Sequence, residues 1–367
     1  MEILGGGGDK QEDRSYIDNN AYSSGHGGKM QIRASDYVLI DGNSGYPSSI
    51  NSISLTEKAG DIDIETPALM LRNSALIQAT TYQGQAGDIE IKTDRLDING
   101  GSISSAFAGP IPQDVIDYHA QTNNVIIQPP SEKGKAGNIS ITAKDSILIG
   151  GKINWLEAGN YEFPYSQSLL SSIDSLVVEG ECEPGSITLR TGNLLISKGQ
   201  IAAGIRNGLN AGEIKIDADS VEIKDKGAIN TSTIGSGHSG NININSDKML
   251  IYDGGIIAAQ TSSKGDAGNI DIQVNQIELA NGRISTSSRN KDASGNGGSI
   301  SISATESVSV NKESLIESIT IGHGNAGTID ISTPNLFVRG GKISCLTGGE
   351  GHAGDHTTGQ KIKEHNL

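Results

Sequence analysis

Short stretches of alternating polar and apolar residues recur along this chain, and each stretch begins with a glycine. The unit is a small residue, Gly, a polar residue, Ile, a polar residue and Ile, as in Gly60–Ile64 and Gly87–Ile91. Because the apolar positions are two residues apart and mostly β-branched, the pattern predicts strands and not helices. We call the glycines that open the units the anchor glycines. They are Gly28, Gly60, Gly87, Gly137, Gly185, Gly212, Gly240, Gly268, Gly298, Gly327 and Gly354.

The anchor glycines form a repeat with two interruptions. Most intervals are 27 to 32 residues, but those from Gly87 to Gly137 and from Gly137 to Gly185 are 50 and 48. Within each unit a second aliphatic pair follows, such as Leu96–Ile98, and then a third short segment, such as Ser102–Ser104. Units of this length leave room only for turns between strands, so they must stack as coils. We therefore predict an all-β fold, a right-handed parallel β-helix solenoid of about ten coils of about 28 residues, with three short strands per coil.

Departures from the repeat set the predicted domain boundaries. Residues 1–24 are expected to be an irregular lead-in, residues 25–355 to form the β-helix, and residues 356–367 to be a polar tail outside the repeat. The two long intervals predict insertions at 106–134 and 155–182. Both are expected to follow a third strand, so they should leave the same corner of consecutive coils and be neighbours in space.

The two insertions are the predicted ligand-binding region, because they hold six of the thirteen aromatic residues. Exposed aromatic rings stack on sugar rings or anchor a protein partner. Two alternatives stay open. The insertions fold back and bury these rings against the coil, or Ile173, Leu176 and Val178 form an extra strand. The candidate ligand-binding residues are Phe107, Tyr118, Trp155, Tyr161, Phe163 and Tyr165.

Charge and cysteine content narrow the range of partners. The 28 Lys and Arg against 43 Asp and Glu give a net charge of −15, which opposes binding to phosphate backbones, so no nucleic-acid partner is expected. Cys182 and Cys345 are 163 residues apart and should lie several coils from each other, so no disulfide is expected. The chain has no run of 18 apolar residues, so no transmembrane helix is expected.

An acidic cluster and four turn histidines are the residues to weigh as metal ligands. The cluster consists of Asp61, Asp63, Asp88 and Glu90, on two adjacent coils. We expect it to be solvated, with Lys92 and Arg95 relieving the repulsion, although bridging by calcium stays an alternative. The histidines are interpreted as exposed turn residues, so no metal site and no cofactor are expected. They are His26, His238, His323 and His352.

The repeat resembles that of a known group of exported proteins. The stretch Gly265–Ile272 followed by Ala280–Ser287 looks like the repeats of filamentous-haemagglutinin-like proteins of the two-partner secretion class, which include S-layer-family and haemagglutination-domain proteins. The resemblance covers about residues 25–355. It implies an exported right-handed β-helix, passage through an outer-membrane transporter, and adhesive or structural work at the cell surface.

The resemblance predicts a segment of a secreted or cell-surface adhesin or structural β-helix protein, and not an enzyme. Met1–Gly5 opens without a signal peptide, and the family's N-terminal secretion domain is missing, so the export signal is expected outside this chain. Surface glycans, or proteins of host or neighbouring cells, are the expected partners. The alternatives are a polysaccharide lyase or hydrolase that uses the acidic cluster beside Lys92, and a truncated gene remnant without function.

Overall fold

The structure, a computed structural model, confirms the predicted right-handed parallel β-helix. It describes residues 1–5, 15–22, 25–42, 47–55, 57–108, 134–152, 170–177, 182–205, 210–234, 237–262, 264–291 and 294–358. Every regular element within these ranges is a strand. The strands are β1 (Glu2–Leu4), β2 (Tyr16–Asp18), β3 (Met30–Arg33), β4 (Tyr37–Asp41), β5 (Ser49–Ser54), β6 (Ile62–Thr81), β7 (Gly84–Gln85), β8 (Ile89–Phe107), β9 (Gly134–Lys135), β10 (Ile139–Gly150), β11 (Ser171–Val177), β12 (Ile187–Ser197), β13 (Gly199–Ile205), β14 (Ile214–Lys224), β15 (Ala228–Thr233), β16 (Ile242–Tyr252), β17 (Ile256–Thr261), β18 (Ile270–Ala280), β19 (Arg283–Ser288), β20 (Ile300–Asn311), β21 (Leu315–Thr320), β22 (Ile329–Ser332), β23 (Leu336–Arg339), β24 (Lys342–Thr347) and β25 (His356–Thr358).

Three parallel sheets run along the solenoid, one for each strand of the coil. Sheet one extends from β3 to β25, sheet two from β1 to β23, and sheet three from β2 to β24. The longest strands, β6 and β8, turn two corners without a break and contribute to all three sheets. Ten coils contain all three strands, the first opening with β3 and the tenth closing with β24, which agrees with the number predicted.

The core is a set of aliphatic columns in which each side chain packs on its copy in the next coil. In sheet three one column is isoleucine throughout, and its members between the two ends are fully buried. Because each isoleucine is covered by those above and below it, burial is shared between coils and no coil is stable alone. This column is Ile17, Ile50, Ile77, Ile103, Ile173, Ile201, Ile229, Ile257, Ile284, Ile316 and Ile343.

The anchor glycines recur because their backbones stack too closely for any side chain. A Cβ atom at Gly240 would lie 1.9 Å from the carbonyl oxygen of Gly212, and one at Gly268 would lie 1.9 Å from that of Gly240. Such distances are far below van der Waals contact. The glycine that dominates the sequence pattern therefore sets the close approach of successive coils at the turn before sheet one.

Both ends of the chain add strands beyond the predicted boundaries of the β-helix. In the predicted lead-in at 1–24, β1 pairs with β4 and β2 pairs with β5. At the other end β25 pairs with β22, so sheet one continues past residue 355. Each of these strands has three residues, which is too few to show an alternating pattern in the sequence. Residues 359–367 of the predicted tail lie outside the described residues.

The second long interval contains a strand, which changes where the chain leaves the coil. β11 lies inside the predicted insertion 155–182 and pairs in sheet three with β8 and β13. The interruption is therefore 153–169, between sheets two and three, whereas 109–133 lies between sheets three and one. The prediction that both insertions leave the same corner is wrong. Ile173 and Leu176 lie in a strand, as one alternative predicted, but this strand is the regular third strand of its coil and not an extra one. Val178 lies outside the described residues.

Candidate functional site

Phe107 is the one predicted ligand-binding aromatic that the structure describes, and it is fully buried. It packs with Ala136, Val177 and Cys182 in a small cluster apart from the main core. The prediction that Phe107 is an exposed ligand-binding residue is therefore wrong, because its ring fills the corner at the end of β8. The other candidates, Tyr118, Trp155, Tyr161, Phe163 and Tyr165, lie outside the described residues.

The two interruptions adjoin opposite ends of one pair of strands in sheet three. Residues 109–133 follow the end of β8, and residues 153–169 precede β11, which pairs with β8 from Ser102 to Phe107. The outward side of sheet three at this strand pair is thus bounded at both corners by a segment that departs from the repeat. We call the outward side of sheet three, from β5 to β21, the sheet-three face.

The sheet-three face differs from the other outward surfaces in charge and in exposure. Its charged residues are Asp174, Arg283 and Glu317, and its remaining positions hold mainly Ser, Asn, Gln and Ala with a few Ile and Leu. Each of its side chains is buried or half-buried, whereas sheet one exposes charged side chains such as Lys92 and Arg190. Hydroxyl and amide groups with little charge suit an uncharged ligand that forms many hydrogen bonds.

Asp174 lies at the centre of this face and is almost completely buried, with 5% of its surface exposed. The hydroxyl group of Ser172 donates a hydrogen bond to its Oδ2 atom, and Ser172 Oγ lies 3.0 Å from Ser102 Oγ. Among the described residues its Oδ1 atom has no hydrogen-bond partner. The adjoining segments of β8 and β13 place no positive charge on this face.

Burial controls the protonation of this carboxyl group. Loss of solvation raises the pKa of Asp174 from 3.8 to about 7, and the hydrogen bond from Ser172, with smaller contributions from the nearby polar groups of Gln200 and Ser102, offsets the effect only in part. Asp174 therefore changes charge near neutral pH. The sequence gives no sign of this, because Asp174 occupies an outward position of an alternating strand, where aspartate is ordinarily solvated.

A second buried carboxylate on the sheet-three face has a cationic partner. Glu317 is 5% exposed, and its Oε1 atom lies 3.3 Å from Arg283 Nε. The hydroxyl group of Ser285 donates to the same oxygen at 3.4 Å. This carboxylate is thus matched in charge, in contrast to that of Asp174.

The acidic cluster lies on two adjacent coils, as predicted, and lysine side chains pair with three of its four carboxylates. Asp63 and Glu90 are partners in the register of sheet one. The lysine pairs are Lys58–Asp61 at 3.2 Å, Lys29–Asp63 at 2.5 Å and Lys92–Glu90 at 2.7 Å. Asp88 instead accepts a hydrogen bond from the backbone N–H of Asn138 at 2.7 Å. Lys92 thus relieves the repulsion as predicted.

Arg95, by contrast, does not contact the acidic cluster. Its Nε atom lies 3.4 Å from Asp145 Oδ2. Hydrogen bonding to the carboxylates raises the pKa of Lys29 and of Lys92, so both stay charged beside the cluster. In the part of the chain that the structure describes, no group of three or more His, Cys, Asp or Glu side chains has an arrangement that holds a metal ion.

The four turn histidines are exposed, as predicted. His238 Nδ1 accepts a hydrogen bond from the backbone N–H of Asp266 at 3.0 Å. This bond belongs to a ladder in which one polar side chain per turn accepts from the backbone of the next coil. The accepting side chains are those of Asn210, His238, Asp266, Asn296 and Asn325, and the last bond comes from the backbone N–H of His352. These residues align successive turns.

The two cysteines occupy distant coils, and neither forms a disulfide, as predicted. Cys182 is buried beside Phe107, whereas Cys345 lies in β24 near the end of the solenoid. Across the described residues, no helix has the length and hydropathy needed to span a membrane. Compared with protein-family models, curated proteins and solved structures, the chain shows no significant match to any of them.

Proposed function

We propose that this protein is a structural and adhesive β-helix of the cell surface, with the sheet-three face and the two adjoining interruptions as its binding region. The observation that carries the proposal is the sheet-three face itself. It presents nine strands of small, weakly charged side chains along about 40 Å of a rigid solenoid, since parallel strands are about 4.8 Å apart.

The resemblance to filamentous-haemagglutinin-like proteins of the two-partner secretion class supports the cellular setting of this proposal. In that setting the protein is extracellular or on the outer cell surface, and it reaches this location through an outer-membrane transporter that recognises a secretion domain. A solenoid suits such work because its length grows with each coil while its cross-section stays constant.

Surface glycans are the ligand class that the sheet-three face fits best. Sugar hydroxyl groups both donate and accept hydrogen bonds, as do the half-buried hydroxyls of Ser104 and Ser232 and the Gln200 amide on this face. Aromatic residues of the adjoining interruptions, among them Trp155 and Tyr161, supply flat apolar surfaces of the kind that stack on sugar rings. Proteins of a neighbouring cell are the other class of partner.

On the sheet-three face, carboxyl spacing favours binding over glycoside hydrolysis. Hydrolysis by two carboxyl groups requires them to lie within about 10 Å of each other. On the sheet-three face, as far as it is described, the other carboxyl is Glu317, which lies five coils from Asp174, or about 24 Å away. The neighbouring carboxylates of the acidic cluster in sheet one are instead paired with Lys29, Lys58 and Lys92.

A glycan array probed with the purified chain tests the proposal. We expect binding by the wild-type chain, loss of binding in Trp155→Ala, and about 5- to 30-fold weaker binding in Gln200→Ala, because a lost hydrogen-bonded contact costs about 1–2 kcal/mol. The matched control is Gln273→Ala, which removes the same amide from an exposed outward position of sheet one.

Two results would count against the proposal. One is a chain with the circular dichroism of a folded β protein that binds neither glycans nor intact cells. The other is binding that Gln273→Ala weakens as much as Gln200→Ala does, because the ligand would then contact sheet one. Cell fractionation tests the location separately, and a purely cytosolic product contradicts it.

A further inference from the structure

One buried carboxyl group on the sheet-three face has no cation beside it. Among the described residues, Ser172 donates a hydrogen bond to Oδ2 of Asp174, and no group donates to its Oδ1 atom. Glu317 belongs to the same outward column and is equally buried, but Arg283 lies 3.3 Å from its Oε1 atom. Within the described ranges the chain therefore supplies a cation to one of these two carboxyl groups and not to the other. A carboxylate withdrawn from water is costly unless a positive group and hydrogen bonds compensate it.

The described basic residues at the two ends of β11 do not serve as this cation. Lys152 and Lys198 lie at the corner before the strand, four residues or about 13 Å from Asp174 along the strand direction, and both are exposed. At the corner after the strand, Lys135 pairs with Glu183 at 3.5 Å. The segments of β8 and β13 that pair with β11 contain no titratable side chain. The carboxyl group of Asp174 is thus the one ionisable group on this part of the face, as far as it is described.

Short side chains adjoin Asp174 on the outward side of the sheet. In the register of sheet three it lies between Ser104 and Ala202, with Ala106 and Gly204 on the diagonals towards the end of the strand. None of these four residues carries a positive charge, and none is long enough to extend across the carboxyl group from a strand about 4.8 Å away. A cationic donor to Oδ1 therefore has to come from a bound molecule.

From this geometry we infer that the ligand of the sheet-three face is a glycan with a free amino group, and that Asp174 determines this specificity by accepting a hydrogen bond from the sugar's ammonium group at Oδ1. The inference rests on the proposed function, because it names the ligand of the same face. An ammonium group has three donors and a positive charge, which are what this carboxylate lacks. Ser104 in the same column and Gln200 on a diagonal offer further acceptor oxygens. The uncharged hydroxyl groups of the same sugar fit the rest of the face.

An ammonium group pairs with the ionised form of Asp174, so the affinity depends on pH. Because burial raises the pKa of Asp174 to about 7, most molecules of the free protein hold this proton at pH 5.5. Below pH 7 the ligand must displace the proton, and each further unit of pH lowers the affinity by up to about tenfold. The amine of the ligand stays charged over this range, since amines have pKa values above about 7. A sugar without an amino group has no such dependence on Asp174.

Isothermal titration calorimetry of the full chain at about 0.15 M salt tests the inference with three probes: a glucosamine disaccharide, the N-acetylglucosamine disaccharide and a lysine peptide. We expect the glucosamine disaccharide to bind at least about tenfold more tightly than its N-acetylated counterpart at pH 7. Its affinity should fall on the order of tenfold between pH 7 and pH 5.5. In Asp174→Asn both effects should disappear, so that the two disaccharides bind with similar affinity at both pH values.

Two matched controls separate this contact from the general attraction of a cation to a chain with a net charge of −15. Asp271→Asn removes one negative charge from a half-exposed position of sheet one and should retain the preference for the amino sugar. Ala202→Lys places an ammonium group beside Asp174 in register, about 4.8 Å away, and should abolish the preference because the carboxylate is then paired. Ala258→Lys makes the same substitution at an equally buried position of the same column, three coils from Asp174, and should retain it. Circular dichroism shows that each variant is folded.

The outcomes distinguish this inference from the proposed function. Equal affinity of the wild-type chain for the two disaccharides overturns the inference and leaves the proposed function standing, because the face then binds sugars without recognising the amino group. A chain that binds neither these nor any other glycan contradicts both. Binding of the lysine peptide alone, lost in Asp174→Asn, also overturns the inference, since the ammonium group then comes from a protein. So does a preference that Asp271→Asn removes as fully as Asp174→Asn does, because the attraction is then to the overall charge.

Discussion

The carboxyl group of Asp174 makes the stability of this protein depend on pH between about 4 and 7. In the folded chain burial raises the pKa of Asp174 from 3.8 to about 7. Below pH 4 the group is neutral in both the folded and the unfolded chain, so it has no effect on their balance. As the pH rises towards 7, the unfolded chain loses this proton while the folded chain holds it, so stability falls. Above pH 7 the loss is complete and constant.

The size of the effect follows from the shift. A change of about three pKa units, at 1.36 kcal/mol per unit, corresponds to about 4 kcal/mol in the free energy of unfolding at pH 8. Asp174→Asn keeps the shape and an acceptor oxygen for the Ser172 hydroxyl but cannot ionise. We expect this variant to be more stable than the wild type at pH 8, by up to about 4 kcal/mol, and nearly equal to it at pH 4.

Urea denaturation followed by circular dichroism at pH 4, 6 and 8 measures this difference. Because coils contact only their neighbours, unfolding need not be all-or-none, and hydrogen exchange of the amides in β8, β11 and β13 localises the effect. Asp271→Asn, which makes the same substitution at a half-exposed outward position of sheet one, is the matched control. A variant Asp174→Asn that is destabilised at pH 8, or whose advantage is the same at all three pH values, would refute the reasoning.

Two further predictions concern the core and the anchor glycines. Ile103→Ala removes most of a fully buried side chain from the isoleucine column and should lower the free energy of unfolding by about 2–5 kcal/mol, whereas Leu148→Ala, at a partly exposed position, should cost less than about 1.5 kcal/mol in the same urea experiment. Gly240→Ala should abolish the cooperative thermal transition or lower its midpoint sharply, because its Cβ would lie 1.9 Å from the carbonyl oxygen of Gly212. Gly25→Ala, where the new methyl group meets nothing within 4 Å, should leave the midpoint nearly unchanged.

The fold was predictable because two independent signals have the same period. Isoleucine at alternate positions marks the strands, and the anchor glycine marks the turn before sheet one, so the coil could be counted from the sequence. The third strand repeats only one isoleucine per coil, so its position is marked less clearly. β11 shows why this matters: its sequence Ser171–Val177 has only two positions in the aliphatic alternation, and the 20 residues 151–170 separate it from the second strand of its coil.

The candidate site was less predictable, because burial on an outward face comes from neighbours and not from the strand itself. From the sequence alone, Phe107 lies beside an insertion and is expected to be an exposed loop aromatic. In the structure it ends β8, and its ring fills a corner of the coil. From the alternating pattern alone, Asp174 is expected to be solvated, but in the structure it is buried. In both cases the contacts that bury the side chain come from neighbouring coils. The sequence of a single repeat unit does not contain these contacts.

The same stacking explains how the coil accepts long interruptions without losing register. Between Gly87 and Gly137 the chain includes 25 additional undescribed residues, yet a Cβ at Gly137 would still lie 2.1 Å from the carbonyl oxygen of Gly87, as close as at uninterrupted steps. The entropy cost of a longer loop grows slowly with its length, whereas a misplaced glycine would break the contact between two coils. Selection can therefore vary the segments at the corners while the anchor glycines stay aligned. This tolerance agrees with the proposal that the binding region combines the sheet-three face with the two interruptions at its corners.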